Sequence, residues 1–314
     1  MNGTRGEGYT SSMRTLSAVV MLLAGCDTGT VPPREFEGQA ALQYAQTQLA
    51  FGPRIPGSAG HARMATWLDS LLRARADTLM VQRWTHVSTK GDSLPLVNFL
   101  ARFKPTSTTR LLFLAHWDTR PRSDAPGSRD STLPVPGAND GASGVAVLLG
   151  MADALKRLPP EIGVDLLFVD GEDYGDFSAD ADVLLGSRYY AAHQAPGATP
   201  RFAILFDMVG DKDLQILQEG YSVTGAPDVV DQVWGIAERI GQGAVFKREQ
   251  GVSLTDDHIP LQQAGIRAID IIDFTFGGPD NPWHHTPEDT FDKLSAASLQ
   301  VVGDVGMAVV RLTK

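Results

Sequence analysis

Apolar and polar positions change period several times along this chain, and each change marks an element. The stretches "FEGQAALQYAQTQLAFG" (36–52) and "GHARMATWLDSLLRARA" (60–76) repeat apolar residues three and four apart, the spacing of helices with one buried face. Leu68, Leu71 and Leu72 share such a face in the second, and the turn-rich "GPRIPGSAG" joins the two. Strand-like runs follow at 79–87, 97–103, 111–115, 164–169, 202–206 and 268–272. Several are apolar without alternation, as strands covered on both faces must be. Helical spacing returns at 144–158, 185–193, 229–240, 259–264 and 296–312. Strands alternating with helices predict an α/β fold: a single-domain three-layer sandwich whose twisted, mostly parallel or mixed sheet is flanked by helices.

Before residue 36 the pattern is different. Arg14 precedes an apolar run from Leu16 to Ala24, too short for a stable membrane span but suited to the h-region of a signal peptide. The run ends in Leu23-Ala24-Gly25-Cys26, which resembles a bacterial lipobox whose cysteine is lipidated after cleavage. Met13 opens a complete short signal by itself. The expected organisation is a lipoprotein signal peptide at 1–26, a tether at 27–35 and the folded domain at 36–314. That places the protein in the bacterial cell envelope, lipid-anchored outside the cytoplasm on the periplasmic side. Cys26 is the single cysteine, so intramolecular disulfides and cysteine-rich zinc sites are excluded. A net charge of -10 with no run of Lys or Arg excludes a nucleic-acid surface.

The chemistry gathers where strands end. In open α/β sheets ligands bind beyond the carboxyl ends of the strands. "LLFLA" exits into His116-Trp117-Asp118, "VDLLFV" into Asp170-Gly171-Glu172-Asp173, "FAILF" into Asp207 and "AIDII" into Asp273. The long polar loop 120–140 ends in "PGANDGASG" with Asp140, and "NPWHHTPED" carries His284 and His285. Carboxylates and imidazoles without thiols suit zinc or a similar divalent ion. A cation would also offset the repulsion between the adjacent acids Glu172 and Asp173, of which one can ligate while the other moves protons.

Together "HWDTRP", "GANDGASGVAVLL", "LLFVDGEDYG", "LFDMVGD", "DDHIP" and "HHTPEDT" resemble the zinc aminopeptidase superfamily, and within it the glutaminyl-peptide cyclotransferases. The likeness runs over roughly residues 40–312 with the motifs in family order. It implies Asp140, Asp173 and His285 as zinc ligands and Glu172 as the general acid/base. His116 and Asp207 match the pair that holds a second zinc in the aminopeptidases. In cyclotransferases one zinc is usual, and Asp207 joins a hydrogen-bond network with Asp256. The substrates implied are peptide or protein N-termini, and the membrane is met through the lipid anchor alone.

The resemblance leaves two reactions open. "TDDHIP" places Asp256 where aminopeptidases more often carry a small hydroxyl residue, which points to cyclisation of N-terminal glutamine to pyroglutamate. Trp117, Phe177, Trp283, Phe276 and His284 are candidates for a closed pocket. Against this, His284 stands where animal cyclotransferases carry a tryptophan, Ser178 replaces another, and every ligand of a two-zinc aminopeptidase is present. A catalytically silent zinc-binding lipoprotein is a third reading, disfavoured because a structural site needs no free acid such as Glu172.

Blander roles are weighed beside these. Asp140 and Asp256 also read as helix caps. His258 is expected to support its loop, and His61, His86 and His193, outside every motif, are expected at the surface. Ser143 in "GASGV" completes no G-x-S-x-G elbow, and "GQGAVF" lacks the third glycine of a dinucleotide loop.

Overall fold

Two helices open the folded region in the computed structural model, which describes residues 1–8, 35–194 and 199–314. Helix α1 (Gly38–Ala50) buries Ala41, Ala45 and Gln48. Helix α2 (Ala59–Arg73) buries Met64, Leu68 and Leu72, and the Ser58 hydroxyl caps it by accepting the His61 N–H. Strands β1 (Thr78–Val87), β2 (Ser93–Phe103) and β3 (Arg110–His116) follow, then α3 (Ala142–Arg157), β4 (Gly163–Val169), α4 (Leu185–Ala192) and β5 (Ala203–Asp207). The chain continues through β6 (Ile216–Gln218), α5 (Gly220–Gly225), α6 (Pro227–Arg239), β7 (Phe246–Gln250), α7 (His258–Gln263), β8 (Ala268–Ile272) and α8 (Ala296–Leu312).

Six strands form one sheet in the order β1-β2-β4-β3-β5-β8. β2 pairs antiparallel with β1 and β4, while β4, β3, β5 and β8 run parallel. The continuous apolar runs have the cause the pattern suggested. Along β3, Leu111, Phe113 and Ala115 enter a core shared with α1, α3 and α8, whereas Leu112 and Leu114 enter another with Tyr190, Leu205 and Leu261. Side chains alternate across a strand, so both faces must be apolar when helices cover both. The parallel strands therefore deliver their carboxyl ends to one edge.

The sequence pattern did not anticipate the small parallel sheet of β6 and β7. β6 has three residues, and β7, "FKREQ", buries only Phe246, so neither shows an apolar run. Helix α5 was missed as well; it is held by Glu219, whose carboxylate accepts the N–H groups of Tyr221 at 2.8 Å, Ser222 at 2.6 Å and Leu254 at 2.9 Å. His258 is buried with Nε2 3.3 Å from the same carboxylate. Burial alone would raise the Glu219 pKa, but the His258 contact and these N–H groups outweigh it and hold it at about 2. A folded-state pKa below the unfolded one gives stability that is full above the unfolded value, about 4.3, and lost as pH falls toward 2. In denaturant unfolding, Glu219→Gln should therefore lie below wild type at pH 6, with the gap closing as pH falls toward 2. A gap that stays constant with pH would contradict this.

Among the described residues no helix is long and apolar enough to cross a membrane. Residues 9–26 of the expected signal peptide, Cys26 among them, lie outside the described residues, as does most of the tether.

Candidate metal centre

His116 ends β3 and Asp207 ends β5, so both stand at the carboxyl edge of the parallel strands. After β4 the chain turns through Gly171, whose φ of +71° lies in the left-handed region that glycine tolerates best. The two acids that follow are gripped from behind by Asp118. Its Oδ1 accepts the Glu172 N–H at 3.0 Å and its Oδ2 the Asp173 N–H at 3.2 Å. The side chains then part. Glu172 Oε2 comes within 3.8 Å of His116 Nδ1. Asp173 Oδ1 accepts from Arg120 at 2.7 Å and lies 3.3 Å from His285 Nε2. Divergent side chains on one clamped turn let like charges sit side by side in sequence yet face different partners.

Asp140 occupies the middle. Asp289 accepts the N–H groups of Asn139 at 2.7 Å and Asp140 at 3.2 Å, and the buried Arg54 donates to the carbonyls of Pro136 and Gly137 beneath the same turn. Gly141 follows with φ +72°, and a Cβ there would lie 2.8 Å from His116 Cε1, so only glycine lets this turn approach the imidazole. Gly141 is also the N-cap residue of α3 and no side chain caps the helix, so Asp140 does not serve as the cap. Its Oδ1 lies 3.0 Å from His116 Nε2. Its Oδ2 lies 3.5 Å from His285 Nε2 and 3.8 Å from His284 Nε2. His116 Nε2 also meets Asp207 Oδ1 at 3.2 Å.

Among the described residues two groups bring ligand atoms within 4.8 Å of one another: Asp140 with His284 and His285, and His116 with Asp140 and Asp207. Asp173 belongs to neither; its Oδ1 accepts from Arg120 and still lies 3.3 Å from His285 Nε2. Asp173 Oδ2 and His116 Nδ1 are buried without any hydrogen-bond partner. Buried polar atoms are seldom left so. His116 Nδ1 faces Asp118 Oδ1 at 3.5 Å, away from the ligand group, but the orphaned Asp173 Oδ2, the carboxylate–imidazole donor set and Asp140 placed between two imidazole groups all fit a divalent ion.

The same burial shapes the acids. Burial pushes the Glu172 pKa well up; His116 pulls it down, while Asp173 and Asp256 add to the rise. Asp256 is pushed up to about 7, by burial first and then by the charge of Asp207, which burial raises too. Asp256 does not cap α7 through its side chain, which instead accepts the Asp257 N–H at 2.5 Å. Glu172, Asp207 and Asp256 line one cavity of 360 Å³ with Asp140, Phe177, Leu254, Ile272, Phe274, His284 and His285.

Several expectations fail against this geometry. Trp117 does not line the cavity: it is fully buried, donates Nε1–H to the Val97 carbonyl at 3.1 Å and stacks on His61 at 4.4 Å. Trp283 and Phe276 do not line it either. They pack edge to face at 5.2 Å, with the Lys293 ammonium 5.0 Å from the Trp283 ring. His61 is not a surface residue; it is buried with Nε2 3.0 Å from Asp170. Its partner is 109 positions away and could not be read from local pattern. Asp273, at a strand exit, turns aside to accept the N–H groups of Gln215 and Thr275.

Asp118, Arg120 and Asp289 were not singled out as functional. All three lie inside the motif stretches "HWDTRP" and "HHTPEDT", but only the fold gives them partners. Groups that orient metal ligands typically contribute about 10–100-fold in affinity. Asp289→Asn would turn an NH₂ toward one of the two N–H groups that hold the Asp140 turn. Chelator competition should show divalent-ion affinity lowered by about that factor, and an unchanged affinity would exclude the role.

The sequence pattern of Peptidase family M28 matches residues 98–310 of this chain. Among solved structures, glutaminyl cyclase of Bacteroides thetaiotaomicron, bound to N-acetylhistamine, is 36% identical, with a TM-score of 0.85 over 91% of this chain and 100% of that one. A leucine aminopeptidase precursor from the same organism is 35% identical, with a TM-score of 0.84 over 91% of this chain and 99% of that one. Aminopeptidase YwaD of Bacillus subtilis is 33% identical over 206 residues, which are 62% of this chain and 39% of that protein. This chain thus matches well under half the length of YwaD.

Proposed function

The chain belongs to peptidase family M28, and from that premise we propose that it is a zinc-dependent glutaminyl-peptide cyclotransferase acting on N-terminal glutamine of peptides and proteins. The observation that carries this reading is the buried pair Asp256 and Asp207 on the wall of the Glu172 cavity. Burial and the charge of Asp207 push Asp256 up to about 7, and the carboxyl oxygens of the pair can accept the N–H groups of a side-chain amide. Similarity to glutaminyl cyclases over nearly the whole chain supports the same reading.

In this reaction the α-amine nitrogen attacks the substrate's own side-chain amide carbon. The ring C–N bond forms, the bond to the amide nitrogen breaks and ammonia leaves. Glu172 takes a proton from the attacking amine and gives it to the departing nitrogen, so no net proton is consumed. A raised pKa suits a group that must both accept and donate near neutrality. Asp207 and Asp256 orient the amide nitrogen. Asp140, Asp173 and His285 would hold zinc, which would supply Lewis acidity toward the amide carbonyl. Phe177, Leu254, Ile272 and Phe274 keep water from the reacting carbon, which favours closure over hydrolysis.

One observation favours a second reading. His116, Asp140 and Asp207 form a complete further ligand group, as a two-zinc aminopeptidase would need, with Glu172 then serving as base toward water. The metal-loaded protein separates the two on a glutaminyl amide, scored for ammonia and pyroglutamate, and a leucyl amide, scored for leucine. Pyroglutamate formation is the expected result, and leucine release without it would overturn the proposal. The lipobox at Cys26 supports attachment to the cell envelope by a lipid anchor, with the catalytic unit outside the cytoplasm.

A further inference from the structure

His284 and His285 are consecutive, yet their rings stack with centroids 3.6 Å apart and planes 29° apart. Consecutive side chains in extended chain point to opposite sides. Here His285 has φ +53°, a left-handed conformation that a non-glycine residue adopts only when its surroundings impose it. The result is that both Nε2 atoms approach the same carboxylate oxygen, Asp140 Oδ2, at 3.5 and 3.8 Å. Phe274 braces the outer ring edge to face at 5.1 Å. The His284 side chain retains 22% exposure and lines the cavity where substrate would enter. Together with Asp140 and His285 it forms one of the two groups among the described residues whose ligand atoms all lie within 4.8 Å of one another, and neither group includes Asp173.

Resting on the zinc reading above, we propose that His284 is a further protein ligand of the zinc bound by Asp140 and His285, filling in the resting enzyme the position that substrate must take. Catalytic zinc sites keep three protein ligands and one open position, while sites closed by four protein ligands are structural. With Asp140, Asp173, His285 and His284 all engaged, the site is closed at rest. His284 is the most exposed of the four side chains, 22% against 15% for His285, and is therefore the ligand to swing into the cavity. Substrate binding then includes displacement of His284, and the two states differ in how many imidazoles the ion carries.

Zinc-edge X-ray absorption counts imidazoles directly and needs no variant. Zinc-loaded wild type should show two imidazoles on a single zinc, or three shared by two if His116 holds a second ion. One imidazole per zinc would overturn the proposal. His284→Phe keeps the stacked ring and removes both nitrogens. It should lower zinc affinity about tenfold or more and shift the visible absorption of the cobalt-substituted protein, and unchanged affinity and spectrum would overturn the proposal too. Glutaminyl peptide added to zinc-loaded Glu172→Gln should lower the count by one, whereas a count that holds would exclude displacement. Wild type that binds no zinc at all would instead sink the zinc reading on which this rests, so the two failures are distinguishable.

Discussion

Glu172→Gln is expected to keep its zinc and lose its turnover. Glu172 points to His116 Nδ1 at 3.8 Å and lines the cavity, whereas no ligand group among the described residues includes it. Glutamine preserves its length and its place over the Asp118 clamp but cannot accept and return a proton. Loss of a positioned acid/base typically costs about 10²–10⁴-fold in rate, and kcat on a glutaminyl amide should fall by that factor. Metal content measured on the same preparation is the necessary partner. If zinc departs along with activity, Glu172 ligates and the roles of the adjacent acids are exchanged.

Asp140→Ala is expected to have the opposite signature, with metal and activity lost together. Asp140 is the one residue common to both ligand groups, with one oxygen toward His116 and the other toward His284 and His285. Its removal should weaken zinc binding by more than the 10–100-fold typical of an orienting residue, and no single remaining cluster would compensate. Its electrostatics point the same way: the His116 contact and the charges of His285 and His284 overcome burial and hold its pKa well below the usual carboxylate range. The carboxylate is thus charged and ready at any physiological pH. Fluorescent-chelator competition run in parallel should rank zinc affinity as wild type, then Asp289→Asn, then Asp140→Ala, the weakest. Near-wild-type affinity in Asp140→Ala would show that the ion sits elsewhere.

How far the chain could be read in advance depended on whether the deciding interaction was local. The six strands of the main sheet lie close to where apolar runs predicted them, and 268–272 coincides with β8. The runs are legible because burial on both faces leaves no polar alternation. β6, β7 and α5 were not legible, since they are short, partly exposed and stabilised by distant groups such as Glu219. Trp117 and His61 were misjudged for a related reason. An aromatic ring beside a motif and a histidine outside every motif look the same in sequence whether they line a cavity or stack on each other in the core.

The sequence by itself determined the α/β class, the edge at which chemistry collects and the set of acids and imidazoles delivered there, because strand ends and residue types are properties of short segments. Only the tertiary structure decided how those groups divide their work. Asp118 parts two adjacent acids, Arg120 donates to Asp173, Asp289 pins the Asp140 turn, and a left-handed residue stacks two neighbouring imidazoles over one carboxylate. Each of these is set by a partner from elsewhere in the chain, or by a backbone angle that only the packed surroundings hold.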